Sequence, residues 1–136
     1  MTREYAEGTK VPVSRSITEV RRILRNAGAD SLVFAEDSQI GVDVAQFTLD
    51  GRIVRLRVRW PDDGGEREMR RRWRALVLIL KAKLEIIATG DSTVDREFLS
   101  DILLPSGATA GEWLVPQIAE TYATGAPPRL LLPETP

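Results

Sequence analysis

Apolar positions in this chain first recur at helical spacing and then switch to strict alternation. Ile17, Val20, Ile23, Leu24 and Ala27 fall on one helix face, with Arg21, Arg22 and Arg25 on the other. Ser16-Ile17-Thr18-Glu19 has the form of a capping box that would start this helix, and Gly28 is suited to end it. Upstream, residues 1–8 form a polar lead expected to be poorly tied down. Val11-Pro12-Val13 reads as an edge strand or extended arm, because proline cannot donate to a central ladder.

Three β segments follow, over residues 31–36, 39–49 and 52–60. In the first, Leu32 and Phe34 share a face. In the second, Ile40, Val42 and Val44 alternate before the phase shifts to Phe47 and Leu49, which predicts a β-bulge near Ala45-Gln46. Asp50-Gly51 is the favoured pair for a two-residue hairpin turn, so the second and third segments should pair antiparallel. In the third, Val54, Leu56, Val58 and Trp60 face one way and Ile53, Arg55, Arg57 and Arg59 the other.

Pro61-Asp62-Asp63-Gly64-Gly65 is turn chemistry, and residues 66–88 then read as one long helix. Met69, Trp73, Leu76, Leu80, Leu84 and Ile87 make its main stripe, with Val77 beside it. Leu78, Ile79, Ala82 and Ile86 extend the apolar surface well beyond one face. Such a helix is either an intramolecular core element or one packed against a second copy. After Thr89-Gly90, Ser92-Thr93 caps a short helix with Val94, Phe98 and Leu99 inward. Residues 102–104 are extended. Thr109-Ala110-Gly111-Glu112 is a further capping box, opening a helix that carries Trp113, Leu114, Ile118 and Tyr122, with Pro116 expected to kink or restart it. The tail, residues 126–136, is held extended by prolines, and its three leucines are expected to dock on this domain or a neighbour. The pattern predicts a single α+β domain over residues 1–136: a three-stranded antiparallel meander with an N-terminal amphipathic helix, followed by a long helix and two shorter C-terminal helices.

Composition narrows the chemistry. The 136 residues contain no cysteine and no histidine, which removes disulfides, thiol nucleophiles, histidine-based triads and nearly all zinc sites. Pro61-Asp62 resembles the start of a magnesium-dependent nuclease site, but Glu66-Arg67-Glu68 lacks the lysine that would complete it. Lys81 and Lys83 are read as snorkelling stems rather than catalytic amines. No catalytic residue, metal or cofactor is therefore assigned, and the chain is expected not to be an enzyme. No apolar run suits a membrane span and no signal-peptide core is seen, so a cytoplasmic protein is expected.

Charge is unevenly placed. Residues 1–83 carry five more cationic than acidic side chains, and residues 84–136 carry six fewer. Arg55, Arg57 and Arg59 form a line about 7 Å apart on one strand face. Arg70, Arg71, Arg72 and Arg74 crowd a helix start, where the dipole favours carboxylates. These seven arginines are the candidate nucleic-acid-binding residues, contacting DNA or RNA phosphates without base readout. An ordinary solvated face, balanced by a cross-strand carboxylate such as Asp43, is the competing reading of the strand line.

Tyr5-Ala6-Glu7-Gly8-Thr9, Arg72-Trp73-Arg74-Ala75-Leu76, Lys81-Ala82-Lys83-Leu84-Glu85, Glu97-Phe98-Leu99, Leu104-Pro105-Ser106-Gly107 and Glu112-Trp113-Leu114-Val115-Pro116-Gln117 together resemble a small family of tailed-phage and prophage proteins. That family has no established activity, so the resemblance carries no functional residues. It implies a bacterial host cytoplasm and a small phage accessory protein. Two functions stay open: phosphate-backbone binding through the arginines, or a protein–protein module, either a homo-oligomer or a modulator of a host protein, built on the long helix and leucine tail.

Overall fold

The computed structural model describes residues 12–127. Its elements are α1 (Val13–Asn26), β1 (Asp30–Asp37), β2 (Val42–Leu49), β3 (Arg52–Arg59), α2 (Glu66–Ala88), α3 (Val94–Glu97), a 3₁₀ turn (Leu99–Asp101) and α4 (Ala110–Thr124). The strands form an antiparallel meander in the order β1-β2-β3, and α1 and α2 cover one face. The fold is the expected α+β arrangement. The polar lead, Val11 and the tail from Pro128 onward lie outside the described residues.

Each sheet face follows from the pairing register. Ala45 stands opposite Leu56 and Phe47 opposite Val54, so these side chains line the helix-covered face with Leu49 and Val58. Against them pack Val20, Ile23 and Leu24 of α1 and Trp73, Val77, Leu80 and Leu84 of α2. Phe98 closes the far end, edge-on to Phe47 at 5.8 Å between ring centres. Asp50 (φ 52°) and Gly51 (φ 75°) both take the left-handed conformation that a tight two-residue hairpin turn demands.

Several expectations need correction. α1 starts one turn earlier, with Pro12 as its N-cap and Val13 as its first residue, so neither forms a strand. Ser16 is consequently buried inside the helix instead of capping it, and Glu19 points to α2. β2 has no bulge: its register with β3 is continuous, and the irregularity lies in β1 between Asp30 and Val33. Val42 and Val44 belong to the outer face, and the small Ala45 holds the inner phase. Leu99, expected inward, is exposed because the short helix gives way to a 3₁₀ turn after Glu97. Pro116 sits within α4, which runs on through it.

The largest correction concerns Asp43. It faces the core, buried beside Val58, and not the arginine line. Its Oδ1 accepts from the indole Nε1–H of Trp60 at 2.9 Å, and its Oδ2 from that of Trp73 at 3.0 Å. A buried carboxyl and two indole N–H groups each need polar partners, and here they satisfy one another. The arrangement ties the end of β3 to the second turn of α2. Asp43→Ala should cost about 2–3 kcal/mol, because it strands the buried indole donor of Trp73 and removes the partner of the half-buried Trp60. Urea unfolding followed by tryptophan fluorescence measures this loss, and an unchanged midpoint would show the bridge to be dispensable.

Candidate interaction surface

The seven arginines singled out in the sequence occupy three separate environments. Arg55, Arg57 and Arg59 do share the outer face of the sheet, away from α1 and α2. Arg55 Nε donates to Gln46 Oε1 across the strand pair at 3.0 Å, and Arg57 Nη1 meets Glu112 Oε2 of α4 at 3.0 Å. The cleft beside Arg57 and Arg59, about 630 Å³, is also lined by Asp62 and Glu112, so its charge is mixed. The negative charge facing this line is therefore that of Glu112, with Gln46 a neutral acceptor for Arg55, and not that of Asp43.

On α2 the cluster divides again. Arg70 is buried. Arg72 Nε pairs with Glu68 at 3.1 Å, and its Nη1 donates to the carbonyl of Arg59 at 2.7 Å, fastening the helix start to the end of β3. Arg74 turns to α1, where Glu19 also receives Lys81: the distances are 2.8 Å and 3.0 Å. Arg71 reaches Glu68 only at 3.4 Å and stays largely exposed. With Arg67 and Arg74 it borders a cleft of about 730 Å³ on the helical side of the molecule, opposite the sheet face that carries Arg55. The arginines are therefore not one surface. The positive charges crowded at the start of α2 are offset by Glu66 and Glu68 in the same turns and by Glu19 across the helix pair.

The surface that sequence reasoning did not single out is α4. Thr109, itself buried, caps it: its hydroxyl accepts from the Glu112 amide at 3.2 Å, while the Glu112 carboxylate accepts from the Thr109 amide at 2.7 Å. The preceding residues pair with the free edge of β3 through Val54 opposite Ile102, and Leu103 with Thr109 forms a second bridge. Gly111 fits close to Ser100, where an added Cβ would lie 2.9 Å from the carbonyl oxygen. The helix is thus anchored by its first turn. Beyond it, Ala110, Leu114, Gln117 and Thr121 share the half-buried side, and none of the fifteen residues is fully buried. Val115 (57% exposed), Ile118 and Tyr122 (87% exposed) form a stripe along the outer flank, and Trp113 is half exposed on the other. The signal was present in the spacing of Val115, Ile118 and Tyr122. Its side became clear only once the anchoring edge was known.

Three carboxyl groups here titrate away from their ordinary range. The Thr109 amide, and then the Arg57 guanidinium, hold Glu112 below it. Lys81 and Arg74 do the same for Glu19. Burial pushes Asp101 up, against the pull of Lys83 and Arg57. No group of three or more Asp or Glu side chains is placed to hold a metal ion among the described residues, and Asp62 lies on an exposed turn. No helix among them is long and apolar enough to cross a membrane. No protein-family model, curated protein or solved structure matches the chain.

The depressed groups make acid sensitivity testable. Glu112 and Glu19 stabilise the fold at pH above the ordinary carboxylate value of about 4.3, and that contribution disappears as pH falls through their lower folded-state values. Asp101 acts with the opposite sign, favouring the fold when protonated. Glu112→Gln should therefore flatten the loss of stability on acidification. Urea melts of wild type and variant across pH 7 to pH 3 provide the comparison, and parallel pH curves would remove Glu112 from the account.

Proposed function

We propose that this chain is a non-enzymatic protein-interaction module that offers the outer stripe of α4 to a partner protein. The observation that carries the reading is a fifteen-residue helix with no fully buried side chain and with Trp113, Val115, Ile118 and Tyr122 exposed. A helix of that length is marginal in water on its own, and this one turns its larger apolar groups away from the domain. An amphipathic helix seating its apolar face in a partner's groove is a recurrent recognition mode, read through anchors at such spacings. In the phage setting that the sequence resemblance implies, a host protein is the natural partner.

Phosphate-backbone binding is the second reading. It rests on the parallel line of Arg55, Arg57 and Arg59 on the outer sheet face, and it needs Arg57 to leave Glu112. It ranks second because Arg55, Arg57, Arg72 and Arg74 already have intramolecular partners and Arg70 is buried.

One paired experiment separates them. Tagged wild-type protein and Ile118→Asp are used for affinity capture from cells that express the gene, and both are titrated with labelled single- and double-stranded DNA at low and high salt. The interaction reading expects a stoichiometric protein partner retained by wild type and lost on Ile118→Asp, with no salt-sensitive DNA binding. Binding that weakens steeply with salt and disappears in the Arg55/Arg57/Arg59→Glu variant would instead favour the phosphate reading.

A further inference from the structure

α2 is apolar on two opposite sides. Trp73, Val77, Leu80 and Leu84 face the core. Diametrically opposed, Ala75, Leu78 (56% exposed), Ile79 (49% exposed), Ala82 and Ile86 form a continuous strip on the solvent side. The positions 75, 79, 82 and 86 step by four, three and four residues, the seam spacing of two helices packed side by side.

We propose that this strip pairs with the same strip of a second copy of the chain, the two α2 helices running antiparallel about a two-fold axis between Leu80 and Lys81. The numbers are self-complementary under that axis. Ala75 meets Ile86 of the partner subunit, and Ile79 meets the partner's Ala82. Each contact sets a small side chain against a large one, which lets helix axes approach to about 8 Å. Lys81, beside the axis, is drawn back toward α1 by its bond to Glu19, so two lysines do not confront each other.

Charge selects both the occupant and the direction. Over residues 66–74 the start of α2 is net basic, with five arginines against Glu66 and Glu68, although Arg71 already reaches Glu68 at 3.4 Å. The end near its C-terminus is acidic, with Glu85 and Asp91. Antiparallel pairing brings each basic end against the partner's acidic end and the negative pole of its helix, whereas parallel pairing would bring like charges together. The arginines that sit unfavourably at the N-terminal end of their own helix thereby gain a favourable neighbour. This inference is independent of the α4 reading, since it uses a different surface.

Sedimentation equilibrium on the full chain tests it. Up to about 100 µM, the weight-average mass should rise from 15.1 kDa toward twice that value, as expected for an interface of this modest size. Ile79→Glu, on the solvent face and expected to leave the circular dichroism unchanged, should raise the dimer dissociation constant at least ~100-fold, because it places a charge in the seam twice. Ile118→Asp should leave it unchanged. The cysteine-free chain also permits a test of direction: Ile79→Cys mixed with Ala82→Cys should cross-link faster than either variant alone. A monomer at the highest concentration overturns the proposal, whether the strip is bare or covered by another segment of its own chain. So does a dimer indifferent to Ile79→Glu, a dimer lost on Ile118→Asp, or faster cross-linking of like with like.

Discussion

The carboxyl group of Asp43 sets the geometry on which the other surfaces depend. Its two oxygens hold the indoles of Trp60 and Trp73, one at the end of β3 and one on α2, on either side of a five-residue turn. Burying the Asp43 carboxyl or the Trp73 indole alone would be costly, and the half-buried Trp60 completes their pairing. Together they are satisfied only when α2 leaves the turn along one path and presents one side to the sheet. That choice puts Trp73, Val77, Leu80 and Leu84 inward. It also leaves Ala75, Ile79, Ala82 and Ile86 outward, so the exposed strip is a consequence of the same bridge that orders the core.

Once α2 is oriented, the charged side chains nearest to it act mainly as local fasteners. Glu19 collects Arg74 and Lys81 and joins α1 to α2. Arg72 spans from Glu68 to the Arg59 carbonyl. Arg52 grips Asp95 with two bonds, at 2.7 Å and 3.1 Å, and brings α3 to the start of β3. Individually, exposed pairs of this kind contribute little to stability. Their collective effect is on electrostatics: Arg52–Asp95 and Arg57–Glu112 join the basic first part of the chain to its acidic remainder, while Arg71, Arg72 and Arg74 are paired with Glu68 and Glu19 of the first part itself.

Much of the fold was legible because local rules and burial agreed. Asp50-Gly51 demanded a hairpin turn, Val54, Leu56 and Val58 could only face inward together, and Thr109 with Glu112 specified a helix start. Failures came where a residue's usual preference was overridden at long range. Asp43 is polar and was placed outward by type, although two tryptophans, from positions 17 and 30 residues away, supply its inward partners. Ala45 is too small to mark a phase, so the continuous strand looked like a bulge. Ser16 resembled a cap because a serine followed by a glutamate three residues on is a real signal, yet Pro12 starts the helix earlier. The arginines were legible as a density but not as a surface, because alternation along β3 and rotation around α2 send them to opposite sides of the molecule.

Two apolar helix faces remain exposed after these pairings. Single exposed apolar residues are ordinary in folded proteins and carry little meaning. Contiguous ones at the spacing of a helix face are different, because their exposure forgoes burial over a connected area. Two such faces occur here, on α2 and α4, and α4 has its polar Gln117 and Thr121 on the domain side. A stable domain that needed only to cover its own core would gain by rotating or dissolving such a helix. Instead α4 is fixed at its start by a capping box, a backbone bridge and the close seat of Gly111. Anchoring of that kind preserves the direction in which Val115, Ile118 and Tyr122 point, and a preset direction lowers the ordering cost of association. On the interaction reading proposed above, the restraint on α4 is preparation for a macromolecular contact, because the helix adds no fully buried side chain to the core.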